Sequence, residues 1–247
     1  MNMAENFQKM RLTPELVARV NRHIEDPGEQ AYPDAVWCSD RDRNEAIAKI
    51  MDEKPATADV WIFAYGSLIW KPAFEYVEYR TGVVRGWHRS FCLGWIKRFR
   101  GSAEHPGLML ALDHGGECAG VAYRLAPDRI QENLAKLFQR EMLTKPDAML
   151  PIWINIETGL GTIPAITFVI DPEGQAYVGG LSIERTADAL ATAVGHVGSM
   201  ANYLYRTVKK LEDLGLDDAY LWQLQELVAE RIEAALLRLP LCFYNRK

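Results

Sequence analysis

Val60-Trp61-Ile62-Phe63-Ala64-Tyr65-Gly66-Ser67-Leu68-Ile69-Trp70 is the stretch on which the fold turns. Its first six residues form a short, unbroken apolar and aromatic run. That length and that content of β-branched and aromatic side chains predict a buried strand. Gly66-Ser67 ends the run in a sharp turn. Downstream, further strands are predicted over Val77–Val84, Trp87–Gly94, Leu108–Leu112, Cys118–Leu125, Ile152–Ile156 and Ile163–Ile170. Pro106-Gly107, His114-Gly115-Gly116, Gly159-Leu160-Gly161 and Asp171-Pro172-Glu173-Gly174 punctuate them as turns. One helix, opened by Ala126-Pro127-Asp128 and running to about Met142, interrupts the series. Two or three more follow from Ile183, the last from about Asp217 to Leu239, carrying Leu221, Leu224, Leu227, Val228 and Ile232. Helices and strands do not alternate strictly, so an α+β architecture is expected, a small mixed β-barrel or sheet with flanking helices, rather than a doubly wound parallel sheet.

Upstream of Val60 the texture is helical. Thr13-Pro14-Glu15 places a capping residue before a proline at the first helical position, and Leu16, Val17, Val20 and Ile24 follow at helical spacing up to Asp26-Pro27-Gly28. Asp40–Asp52 reads as a second helix. The expected organisation is a helical N-terminal extension over residues 1–57, packed on a domain spanning 58–240.

The 247 residues are 49% hydrophobic and 25% charged, which excludes wholesale disorder. A net charge of −5, spread along the chain, argues against nucleic acid or an anionic membrane as the main partner, since both reward a basic footprint. No apolar run approaches the ~18 residues of a membrane helix, and the N-terminus has no apolar core of a secretory signal. A cytoplasmic globular protein is the expectation. Cys38, Cys92, Cys118 and Cys242 form no C-x-x-C pair and read as buried thiols. The five histidines are scattered, without metal-ligand spacing, so no metal is expected. Gly159-Leu160-Gly161 lacks the third glycine of a dinucleotide fingerprint, and no P-loop or nucleophile elbow is present. No nucleotide or other cofactor is therefore implied.

Three places can carry chemistry. The turn after Tyr65 aims the backbone N–H groups of Gly66, Ser67 and Leu68 outward, a geometry that holds a carboxylate or an oxyanion, and glycine lets a ligand approach the chain. An ordinary strand-end turn has the same composition. Glu141 lies three and four residues beyond Leu137 and Phe138, on the apolar stripe of Ile130 and Leu134. A carboxylate there has a raised pKa and suits a general base, unless the helix end carries it into water. Arg140 is rotated ~100° away on the helix and is not assigned as its partner. Lastly, Gly195-His196-Val197-Gly198-Ser199 leads into a helix bearing Tyr203, which supplies either a pocket wall with a phenol or simple helix packing. His196 reads as structural.

Together these residues resemble the ChaC-type γ-glutamylcyclotransferases. The resemblance rests on Tyr65 to Trp70, on Gly120-Val121-Ala122-Tyr123-Arg124-Leu125, and on Arg140-Glu141 ending a helix. Gly86-Trp87-His88-Arg89 and Glu141-Met142-Leu143-Thr144 are similar to the bacterial branch. It spans about residues 59 to 237. Of the loop that eukaryotic members carry after the third strand, only Arg100-Gly101 matches; of their N-T-E-Y-L pattern, Tyr203-Leu204 does. The resemblance implies a γ-glutamylcyclotransferase-like barrel and a lyase acting on glutathione, which yields 5-oxoproline and Cys-Gly without a cofactor. It implies Glu141 as general acid and base, and Tyr65, Gly66, Ser67, Leu68, Tyr203 and Arg100 as substrate contacts. Other γ-glutamyl amino acids or amines remain open as substrates, as does a non-catalytic regulator that uses the same pocket.

Overall fold

A computed structural model describes residues 10–56, 59–145 and 148–237. The N-terminal region comprises helix α1 (Pro14–Val20), a two-residue strand β1 (Val36–Trp37) and helix α2 (Asp40–Asp52). Thr13 caps α1 through its side chain, and Pro14 sits at the first helical position. The helix stops at Asn21, earlier than the apolar spacing to Ile24 predicts. α2 keeps its predicted bounds because Ser39 and Asp42 form a reciprocal capping box.

Strand β2 (Trp61–Ala64) is buried along its whole length, as a strand covered on both faces must be. A single 3-10 turn over Ser67–Ile69 follows it. β3 (Tyr76–Ile96) and β4 (Gly107–Leu125) then pair antiparallel from Tyr76↔Leu125 to Ile96↔Gly107. The sequence divides each into two strands, and the structure joins them. Gly86 (φ 80) with a register shift between Arg85 and Trp87, and Gly115 (φ 97) with Gly116 (φ 66), absorb the irregularities as bulges instead of ending the ladder.

Helix α3 (Ile130–Glu141) buries Leu134, Leu137 and Phe138. After it come β5 (Thr144–Lys145), β6 (Met149–Thr158) and β7 (Gly161–Ile170). Gly159-Leu160 closes the β6–β7 hairpin as the predicted turn, with Gly161 at φ 106. The order β2-β4-β3-β6-β7 closes into a barrel through the parallel β2–β7 pair at Ile62↔Ile166. The remaining elements are α4 (Ile183–Thr192), a hairpin of β8 (Val194–Gly195) and β9 (Gly198–Ser199), α5 (Met200–Asp213) and α6 (Ala219–Leu237). The mixed barrel with flanking helices is the α+β architecture expected.

One apolar core joins barrel and helices, from Ile62 and Phe63 through Leu112 and Phe168 to Leu204 and Leu224. It includes Leu12, Val17, Ile47 and Ile50 of the N-terminal region. Cys38, Cys92 and Cys118 are buried and stand in no disulfide among the described residues; Cys242 lies outside the described residues. Among the described residues, no helix is long and apolar enough to cross a membrane.

Candidate active site

The turn that ends β2 lies against α5. Ser199 caps α5 by accepting from the Asn202 amide, which sends Tyr203 into the interior, where it is 2% exposed. The Tyr203 phenol oxygen lies against this turn, where the backbone and hydroxyl of Ser67 act to lower its pKa. Gly66 is needed for this approach: a Cβ there would stand 2.8 Å from Tyr203 Oη. Burial raises the pKa of Tyr203, so the phenol stays a hydrogen-bond donor at neutral pH.

Glu141 is the last residue of α3 and faces the same place. Its charge acts on both Tyr65 and Tyr203. The side chain keeps 22% of its surface, yet the protein packed around it desolvates the carboxylate and raises its pKa, with Arg140 as the opposing influence. Contrary to the helical-rotation reading, Arg140 does meet Glu141, with Nε 3.4 Å from Oε1. The long arginine side chain folds back at the helix end and also donates to Ser67 Oγ (2.7 Å) and Lys71 O (2.7 Å). Arg140 thereby ties the carboxylate to the turn.

Arg100 approaches from the other side. It is 7% exposed, donates to Ser199 O at 2.8 Å, and lies 5.5 Å from the Tyr203 ring centroid and 5.8 Å from that of Trp70. The residue before it, Phe99, holds a positive φ of 64 and offers its carbonyl to Val197 N (2.8 Å). Gly195 permits that contact, since a Cβ there would meet Phe99 O at 2.3 Å. Burial lowers the pKa of Arg100, and the charges of Arg206 and Arg140 push in the same direction.

Tyr65 differs from its neighbours. Its hydroxyl donates to Phe168 O (2.9 Å) and its carbonyl accepts from Arg89 Nε (2.6 Å), so its polar atoms are committed to holding the turn. Leu68 is buried within the 3-10 turn. A cavity of about 540 Å³ lies elsewhere, against Arg89, His88, Asp113 and Asp218. Among the described residues, no group of three His, Cys, Asp or Glu side chains could hold a metal ion.

The structure thus gathers Gly66, Ser67, Tyr203 and Glu141 at one point, with Arg100 beneath the tyrosine and Tyr65 and Leu68 as supports. Sequence reasoning quoted Arg140, Trp70 and Arg89 within motifs without giving them a role at the site, and did not single out Arg206. Arg140 was within reach, since it sits beside Glu141 at a helix end where a long side chain can turn back; the others depend on contacts between distant elements.

A family model described as ChaC-like protein matches residues 60–231. The chain is 38% identical over 208 residues to the glutathione-specific gamma-glutamylcyclotransferase of Escherichia coli K12, covering 82% of this chain and 88% of that one. It is 33% identical over 150 residues to the human glutathione-specific gamma-glutamylcyclotransferase 1, covering 60% and 67%. A crystal structure of the yeast γ-glutamylcyclotransferase specific to glutathione superposes with a TM-score of 0.61 at 20% identity, over 71% of this chain and 100% of that one, and shares its fold. A family match across the whole barrel and the helices that carry Glu141 and Tyr203 places this chain in the ChaC-like family.

Proposed function

We propose that this protein cleaves glutathione into 5-oxoproline and Cys-Gly, as a lyase with a small-molecule substrate. The observation that carries the reading is the desolvated Glu141 carboxylate facing the Ser67–Tyr203 contact. In the reaction, the substrate's α-amine attacks its own γ-carbonyl. A new C–N bond closes the five-membered lactam, and the amide bond to cysteine breaks. Nucleophile and electrophile share one molecule, so proximity contributes as much as ~7–11 kcal/mol in well-oriented cases and no cofactor is called for.

Glu141 takes one proton from the α-ammonium, freeing the attacking amine, and passes it to solvent. It then carries a second from the ring nitrogen of the tetrahedral intermediate to the departing cysteine nitrogen, which leaves as an amine. A carboxylate with a raised pKa is matched to both transfers near neutral pH. The amides of Gly66, Ser67 and Leu68 anchor the glutamyl part, at its α-carboxylate or at the oxyanion. Tyr203, whose phenol oxygen lies against Gly66, in turn bonds the substrate amine. Arg100 adds positive potential for the glycine carboxylate from below the tyrosine, and Tyr65 acts by fixing the turn. The buried cysteines, in no disulfide among the described residues, fit a reducing cytoplasm. We take residues 58–240 as the catalytic domain, with the preceding residues packed on it.

Other γ-glutamyl compounds would undergo the same ring closure. A purely binding regulator would have no use for a desolvated carboxylate beside its anion-binding turn. The test is incubation of purified, metal-free protein with glutathione, and separately with γ-Glu-Ala, following 5-oxoproline and Cys-Gly by mass spectrometry. Both glutathione products are expected. Turnover of γ-Glu-Ala alone would replace the substrate, and no product from either would remove the enzymatic reading.

A further inference from the structure

We propose that Arg206 receives the substrate's terminal carboxylate, the one farthest from the γ-glutamyl amide, and so makes the enzyme prefer the full tripeptide to γ-glutamyl compounds lacking that group. The inference rests on the function proposed above and assigns a specificity role to a residue outside the acid–base machinery.

α5 presents Tyr203, Arg206 and Thr207 at positions i, i+3 and i+4, which share one helix face. Each touches the turn after β2. Tyr203 meets Ser67, Thr207 Oγ1 accepts from Trp70 Nε1 at 3.1 Å, and the Arg206 guanidinium carbon lies 4.1 Å from the Trp70 ring centroid. Trp70 is thereby fixed on its edge by Thr207 and covered on its face by Arg206. A guanidinium lying on an aromatic ring keeps its in-plane N–H donors free, and that planar fork matches a carboxylate.

Arg206 is also the cation with capacity to spare. It is exposed, with its guanidinium carbon over the Trp70 ring. Arg100 is buried and donates to Ser199 O, while Arg140 serves Ser67, Lys71 and Glu141. The three guanidiniums act on one another, since Arg206 and Arg140 both depress Arg100. Glu141 sets one negative charge against three positive ones, so the site favours a ligand with more carboxylates than ammonium groups. The distance fits as well. Two residues of extended chain span about 7 Å, and the centroids of Tyr203 and Trp70 are 5.9 Å apart. A γ-glutamyl group anchored at Ser67 thus sends a two-residue tail across the indole toward Arg206.

The test compares kcat and KM for glutathione and for its glycine carboxamide, in the unaltered protein, Arg206→Gln and Arg206→Lys. For the unaltered protein the carboxamide is expected to have a KM ~10–100-fold above that of glutathione, the scale of a hydrogen-bonded charge. Arg206→Gln should raise the glutathione KM by the same factor, leave kcat near its starting value and leave the carboxamide unaffected. Arg206→Lys should fall between. An unchanged glutathione KM in Arg206→Gln, or an equal rise for both substrates, overturns the assignment while the cyclotransferase reading stands. If the unaltered protein releases no 5-oxoproline from glutathione, the function itself falls and this inference falls with it.

Discussion

Glu141 shows how far a single residue can be read before its surroundings are known. Its place on the α3 stripe, with Leu134, Leu137 and Phe138 buried beside it, follows from helical spacing. Its ion pair with Arg140 does not, because side-chain length, rather than Cα rotation, decides contacts at a helix end. Desolvation outweighs that pair and raises the carboxyl pKa, which has two consequences. Glu141→Gln should fold and lose at least ~10²-fold in kcat, the scale of an acid–base group. It should also change how stability depends on pH. Below the unfolded pKa both states are protonated and the substitution matters little. As pH rises from the unfolded pKa through the higher folded pKa, the unfolded chain ionises more readily than the partly buried native carboxyl, and the protein loses stability relative to the glutamine variant. Melting temperatures of the two proteins from about pH 4 to about pH 8 should therefore separate in favour of the variant. A constant difference would mean that the carboxylate carries no burial penalty.

Among the elements, the helices were more legible than the barrel. The bounds read for α2 match the structure, where a capping box at Ser39 and Asp42 sets its start, and Thr13-Pro14 fixed the start of α1. β3 and β4 were misjudged at glycines: Gly86, Gly115 and Gly116 accept positive φ and bend a ladder that composition alone would end. What locks these strands to the site is Arg89, a β3 residue 4% exposed. It donates to Tyr65 O (2.6 Å) at the end of β2 and to Ala119 O (2.5 Å) on β4, and it pairs with Asp218 just before α6. The local motif Gly86-Trp87-His88-Arg89 does not show these contacts, since the partners are 24, 30 and 129 positions away. Arg89→Met would leave Asp218 with no countercharge in a largely buried place and Tyr65 O without its donor. A loss of about 3–5 kcal/mol is expected from the unpaired charge, read by urea denaturation. Arg89→Met with Asp218→Asn should recover part of it. Should the double variant be as unstable as the single one, the two carbonyl contacts, and not the ion pair, carry the effect.

At the scale of the whole molecule, a chain of net charge −5 concentrates Arg100, Arg140 and Arg206 around one turn, a local field that draws an anionic substrate toward the site. The region before the family match grips both flanks of that site. On one side Asp26 takes the guanidinium fork of Arg98 at 2.8 and 2.9 Å, and the Tyr32 hydroxyl accepts from Lys97 N at 2.8 Å, two and three residues ahead of Arg100. On the other, β1 pairs with β5, Cys38 N donates to Leu143 O (3.0 Å), and Arg43 Nε donates to Met142 O (3.2 Å), the carbonyl next after Glu141. Arg43 is the cleanest handle on this arrangement. Its side chain is 15% exposed, and it places a cation at the C-terminus of α3, where the helix dipole favours one. Arg43→Met keeps much of the packing volume but frees the backbone that carries the catalytic carboxylate. Misplacing a reacting group by 1 Å costs up to ~10²-fold, so a kcat reduced by ~5–50-fold with KM little changed is the expected result of steady-state kinetics on glutathione. The KM should hold because the Ser67 turn and Arg206 lie on other elements. A lower melting temperature with kcat intact would instead assign the N-terminal region to stability alone, with Glu141 held in place by α3 and Arg140.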